Sequence, residues 1–132
     1  MSQENVEIVR RALAAYMNDD EATLRGLAAN DMVTSARPDQ PDPQDHHGYE
    51  GFMRSSAEWL EAWDEHKVEA TRIWGEADFV FVGTQESGRG RISGVPMEAQ
   101  SIFVFTLRQR KIVSLQIFGS EDEALKAVGL AE

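Results

Sequence analysis

MEAQSIFVFTLRQRKIVSLQIF, residues 97–118, decides how this chain folds. Strong β-formers recur with period two on both sides of the charged turn Arg108-Gln109-Arg110-Lys111, and such runs are best buried when strands pair and pack against helices. The stretch predicts the central hairpin of a curved sheet. In its first strand Ala99, Ser101, Phe103, Phe105 and Leu107 share one face, while Gln100, Ile102, Val104 and Thr106 share the other. The strand before it divides likewise, Phe79 and Phe81 against Val80 and Val82. Both faces are apolar, and one layer of modest helices covers only one. The other is therefore an expected subunit interface, giving a homodimer through the sheet. A two-residue and a three-residue loop at Gln109-Arg110 put Val113, Leu115 and Ile117 on opposite sides, with Gln116 facing the reverse way, and both registers stay open.

Upstream, residues 66–74 read as a strand, 75–78 as a turn, 79 to about 91 as a long strand and 93–96 as a second turn, where Pro96 suits a strand start. Before these, residues 49 to about 64 return to helical period. Phe52, Ser56, Trp59 and Trp63 lie along one face, with Met53, Ala57 and Leu60 beside them. Residues 36–48, ARPDQPDPQDHHG, carry three prolines, Asp39, Asp42, Asp45 and two adjacent histidines. That is a loop of the length often used as a lid or binding segment. Near the amino end, Val6, Val9, Leu13 and Tyr16, widened by Ile8, Ala12 and Ala15, predict a helix over about 3–17. Asn18-Asp19-Asp20 ends it and caps a second helix with Leu24, Leu27 and Ala28. Met32-Val33-Thr34 follows as a short edge strand. After the hairpin, Ser120 caps a last helix over 121–128, closed by Gly129.

Composition narrows the possible functions. The 132 residues make one domain, 1–132, large enough to bury roughly 65–70% of its unfolded surface. The chain has no cysteine, which excludes disulfides, thiolate catalysis and cysteine metal sites and fits a cytoplasmic protein. No apolar run approaches the ~20 residues of a membrane span, and the polar, acidic start is unlike a signal peptide. A formal charge of −10 argues against nucleic acid or an anionic membrane as partner. Arg89, Arg91, Arg108, Arg110 and Lys111 read as solvated hairpin ends.

The element order, together with Asn18-Asp19-Asp20 after the first helix, Gly48-Tyr49-Glu50-Gly51 opening the third, and Phe105-Thr106-Leu107-Arg108 with Lys111-Ile112-Val113, resembles the SnoaL-like proteins. They belong to the nuclear transport factor 2-like superfamily, with ketosteroid isomerases and polyketide cyclases. The resemblance covers nearly the whole chain. It implies a cone-shaped α+β domain, a curved sheet wrapped on helices around an apolar cavity, and a dimer. It also places the isomerases' tyrosine near Ala12, their carboxylate base near Ser35 and their strand acid near Phe103, none of which can move a proton. Where many SnoaL-like relatives carry histidine, tryptophan, glutamate and aspartate, this chain has Phe103, Phe105, Ile117 and Ser120. The resemblance thus implies a cavity stripped of its usual acid/base groups.

Fold alone does not assign function. The first expectation is a non-catalytic binding domain whose cavity, lined by Tyr16, Phe52, Trp59, Trp63, Phe103 and Phe105, holds a small apolar or aromatic molecule. An alternative is an isomerase, cyclase or hydrolase using His46 or His47 at the mouth, oriented by Asp45, because histidine titrates nearest neutrality. A third is a dimerisation module without ligand. Glu98, Gln100 and Gln116 are the polar groups of the hairpin, and Glu98 becomes a base candidate only if buried. No cofactor and no metal are expected. Asp39, Asp42 and Asp45 lack a calcium-loop pattern, and His46, His47 and His66 lack the spacing of a zinc helix. Gly88-Arg89-Gly90-Arg91 continues a strand and does not open a phosphate-binding helix.

Overall fold

The computed structural model describes residues 2–35 and 45–130. The hairpin forms, from β5 (Pro96–Arg108) and β6 (Lys111–Phe118), and its register is resolved by a two-residue turn. Gln109 and Arg110 both take positive φ, 51° and 66°, the left-handed pair whose twist matches paired strands. Arg108 then faces Lys111 and Leu107 faces Ile112. The register slips next, so that Thr106 faces Ser114 and Val113 has no partner on β5. That slip puts Leu115 opposite Phe105 and Ile117 opposite Phe103, on one face, while Gln116 lies opposite Val104 on the other.

Around this hairpin the chain runs α1 (Ser2–Met17), α2 (Glu21–Leu27), β1 (Ala28–Thr34), β2 (His46–His47), α3 (Gly48–Glu61), β3 (Trp63–Glu76), β4 (Phe79–Gly90), β5, β6 and α4 (Glu121–Ala127). The six strands form one curved, unclosed sheet in the order β2-β1-β6-β5-β4-β3, antiparallel except for the β1–β6 pair. The expected α+β class holds. Asp20 caps α2 by accepting from the Thr23 amide, and Ser120 caps α4 through the Glu123 amide. Residues 36–44, with Asp39 and Asp42 of the expected loop, lie outside the described residues.

Three boundaries differ from expectation. The first strand takes in Ala28 to Asp31 as well as Met32 to Thr34, and lies between β2 and β6, not at the edge. Strand pairing with β6 there outweighs the helical reading of Ala28. The third helix ends at Glu61, and Trp63 instead opens β3 opposite Gly90. The expected loop is interrupted by β2, where His46 and His47 pair with Thr34 and Val33. α3 packs closely on this strand, for a Cβ at Gly51 would come within 3.0 Å of the His46 backbone.

The inner face of the sheet carries Val80, Val82, Phe105, Leu107, Ile112 and Leu115 against Ile8, Val9, Ala12 and Ala15 of α1. On the outer face Phe81 and Val104 are wholly buried with Ala124 of α4, edged by Trp74, Phe79, Ile102, Phe118, Leu125 and Val128. The final helix thus covers part of the face for which a second subunit was expected. It can do so because Ala124 lets its backbone approach the strands closely.

Candidate functional site

The inner face is not sealed by its helices. Tyr16 on α1 and Phe52 and Trp59 on α3 are long side chains that hold the helix layer off the sheet. Between the layers lies a hollow of about 400 Å³, walled on the sheet side by Thr34, Val82, Thr84, Phe103, Phe105, Leu115 and Ile117. It continues outward into a wider depression of about 900 Å³ between the end of α1, the start of α2, α3 and β3. Tyr16, Tyr49, Ser56, Leu60, His66 and Val68 line both. The Tyr16 hydroxyl hydrogen-bonds the Ser56 hydroxyl, tying α1 to α3 across the passage between them. Tyr16 also meets Phe52 edge-on at 5.9 Å.

Of the side chains expected around a ligand, Tyr16, Phe52, Trp59, Phe103 and Phe105 line this inner hollow. Trp63 does not. It packs edge-on against Trp59 with ring centroids 5.5 Å apart, because β3 has already begun at its position. Nor do the residues expected to carry acid/base chemistry reach it. Asp45, His46 and His47 line neither hollow, since pairing of β2 with β1 holds the histidines at the sheet's edge. Glu98 and Gln100 are exposed, so neither is a buried base. Ser120 spends its hydroxyl on capping α4.

The chemistry that sequence reasoning missed sits on β3 and β4. Glu86 is 3% exposed, yet it lines the inner hollow. Its Oε2 accepts the Trp59 indole N–H at 2.7 Å and is hydrogen-bonded by His66 Nε2. The His66 side chain, 15% exposed, lines both hollows. Alternation along β4 carries Val80 and Val82 inward, and two and four residues further it carries Thr84 and Glu86 the same way; this was the available signal for Glu86. His66 carried the same kind of signal, for it stands two residues before Val68 and four before Ala70, the register partners of Glu86 and Thr84, and all three line the hollow. The β3–β4 register slips between Asp64 and Lys67, with Glu65 at φ 55°.

The hollow is therefore apolar on most of its wall and carries one buried carboxylate–imidazole pair. In the neutral ring with its proton on Nε2, that proton goes to Glu86 and Nδ1 keeps a lone pair. At the outer depression, burial first and the Glu21 charge second push the Tyr49 phenol above its ordinary value, and the Arg25 guanidinium lies 4.3 Å over its ring. Arg25 is held there by Glu50 at 2.5 Å and Glu21 at 3.1 Å. Among the described residues no cluster of three or more histidine, aspartate and glutamate side chains is placed to hold a metal ion.

Known proteins place this arrangement. No curated protein sequence matches the chain. Several solved structures share its fold. An NTF2-like protein from Burkholderia thailandensis E264 superposes with a TM-score of 0.78 at 20% identity, over 100% of this chain and 99% of that one. A protein of ketosteroid isomerase-like fold from Catenulispora acidiphila DSM 44928, in complex with trimethylamine, gives 0.68 at 21% identity, over 94% and 93% of the two chains. TerC co-crystallised with polyporic acid gives 0.72 at 13% identity, over 96% and 97%. Identities this low speak for the fold alone. The sequence itself matches the SnoaL-like domain over residues 9–115, from the middle of α1 to the strand that walls the hollow, and on that match the chain belongs to the SnoaL-like family.

Proposed function

We propose that this protein is a small-molecule-binding domain whose ligand, mainly apolar or aromatic, sits in the hollow between the helix layer and the inner face of the sheet. The observation that carries this reading is the hollow itself. About 400 Å³, walled by Phe52, Phe103, Phe105, Val82 and Leu115, falls in the range of small-molecule sites, about 300–1,000 Å³. Two proteins of the same fold, in complex with trimethylamine and with polyporic acid, lend support. The test uses the neutral fluorophore N-phenyl-1-naphthylamine. It should bind one to one, and Ser56→Trp, which fills the passage between the hollows, should abolish binding while the circular dichroism spectrum stays unchanged. Failure of the wild-type protein to bind the fluorophore, or equal binding by Ser56→Trp, overturns the reading.

One observation favours a second reading, catalysis, through residues other than His46 and His47. Glu86, fixed by the Trp59 indole, holds His66 at the junction of the two hollows. Such a histidine can take a proton from a bound molecule at Nδ1 and return it, with Glu86 stabilising the imidazolium. A molecule turned over in deuterium oxide would then carry deuterium in the wild-type product and not with His66→Asn. No label in the wild-type case removes this reading.

Pairing of two copies through the outer face that α4 leaves open, near Ile102, is a separate part of the proposal. A monomer mass by light scattering ends it. Among the described residues no helix is long and apolar enough to cross a membrane. A cytoplasmic location belongs to the proposal too, and cell fractionation tests it.

A further inference from the structure

Thr34 is out of keeping with the wall it stands in. The residue is 3% exposed and lines the inner hollow, and its Oγ1 has no hydrogen-bond partner among the described residues. Its neighbours on the same face are Met32, two residues back, and Leu115, its register partner on β6, neither of which offers a conventional hydrogen bond, together with His46, its register partner on β2, whose ring does not bond the hydroxyl. Thr84, the other threonine of the hollow, donates its hydroxyl to the Ser101 carbonyl at 3.4 Å. Buried hydroxyls are almost always paired, and valine would occupy the same space on β1 without an unpaired group.

We infer that Thr34 anchors the ligand and that the ligand carries a hydroxyl or carbonyl oxygen at the end that reaches β1. This rests on the hollow being a binding site. The Thr34 hydroxyl both donates and accepts, so it serves an alcohol as well as a carbonyl. Its surroundings make the bond selective, because a compound of the same shape without the oxygen leaves the hydroxyl unpaired inside an apolar wall. The site is separate from the His66–Glu86 pair. β1 and β4 stand three strand spacings apart, about 14 Å along the sheet, so one group does not stand in for the other.

The probes are 2-naphthol and naphthalene, one ring system with and without a hydroxyl, titrated by their own fluorescence into wild-type protein, Thr34→Val and Thr34→Ser. Wild-type protein should prefer 2-naphthol by about tenfold. Thr34→Val should cut that preference to about twofold or less, bind naphthalene no more weakly than wild type, and melt no lower than wild type; Thr34→Ser should keep the preference. A preference that survives in Thr34→Val overturns the inference. So does the absence of any preference in the wild-type protein. If N-phenyl-1-naphthylamine binds but neither naphthalene compound does, the anchor falls and the binding site stands; if none of the three binds, both fall. Should Thr34→Val fail to fold, the Thr34 methyl resonance of the wild-type protein decides. It should move with 2-naphthol and not with naphthalene, and equal shifts overturn the anchor.

Discussion

On the outer face of β4 and β5 the side chains of Phe81 and Val104 are fully buried under α4, whereas on the inner face Phe103 and Phe105 border a hollow of about 400 Å³. The strands are the same and so is the alternation; what differs is the helix laid on each face. α4 is seven residues long and meets the sheet through Ala124, so backbone and strands come close and the Phe81 ring fills what space remains, stacked on Trp74 at 5.1 Å. On the inner face the small side chains Ala12 and Ala15 of α1 pack with Ile8 and Val9 against the sheet, whereas beside the hollow Tyr16, Phe52 and Trp59 stand between the layers, with α1 and α3 tied to each other by hydroxyls. Small contact residues make a sealed core. Large ones, braced against one another, keep a space open.

The largest effect should come from the sealed face. Phe81→Ala is expected to cost about 3–5 kcal/mol in chemical denaturation, because it leaves a void that close packing cannot collapse. Phe103→Ala removes the same atoms from a wall already bordering empty space, so it should cost about half as much or less. Equal costs would break the contrast between the faces. Next comes the buried polar group of the open face. Glu86→Leu removes the one oxygen, Oε2, that bonds both the Trp59 N–H and His66 Nε2. A loss of about 1–3 kcal/mol is expected, along with a changed chemical shift for the Trp59 indole proton.

Two smaller effects sharpen the picture at the helix ends. Ser120→Ala strips the cap from the helix that seals the outer face and should cost about 1 kcal/mol in denaturant, without altering fluorophore binding at the inner one. Asp20 caps α2 beside the outer depression, and the Thr23 hydrogen bonds hold its carboxyl below the ordinary value. A group depressed in the folded state contributes stability above its unfolded pKa and loses it as pH falls through the folded one. Its carbon-13 titration midpoint should therefore lie below that of an unstructured aspartate, and Thr23→Pro, which lacks the donating amide, should remove the difference.

Much of this was legible in the order of residues. Helical spacing from Val6 to Tyr16, the Ser120 cap and the alternation through Phe103 and Phe105 each correspond to an element or a wall of the structure. Elsewhere a local rule was overruled by pairing. Trp63 continues the apolar stripe of Trp59 at helical spacing, yet it starts a strand because Gly90 is available opposite it. His46 and His47 read as free loop side chains until β1 lay beside them. Gln109-Arg110 lacks the glycine or asparagine that signals a two-residue turn, so the register of β6 was open until both residues were seen at positive φ.

By itself the sequence determined the class of fold, the period-two alternation of β4 and β5 and the aromatic character of the inner wall. These follow from periodicity, which is a property of neighbours along the chain. Tertiary structure alone decided that His66 and Trp59 meet at Glu86, that His46 and His47 stay at the edge, and that Thr34 has no hydrogen-bond partner among the described residues. Each depends on a strand pairing or a distance between layers, and those are set by contacts among residues a dozen or more positions apart, which no local pattern encodes.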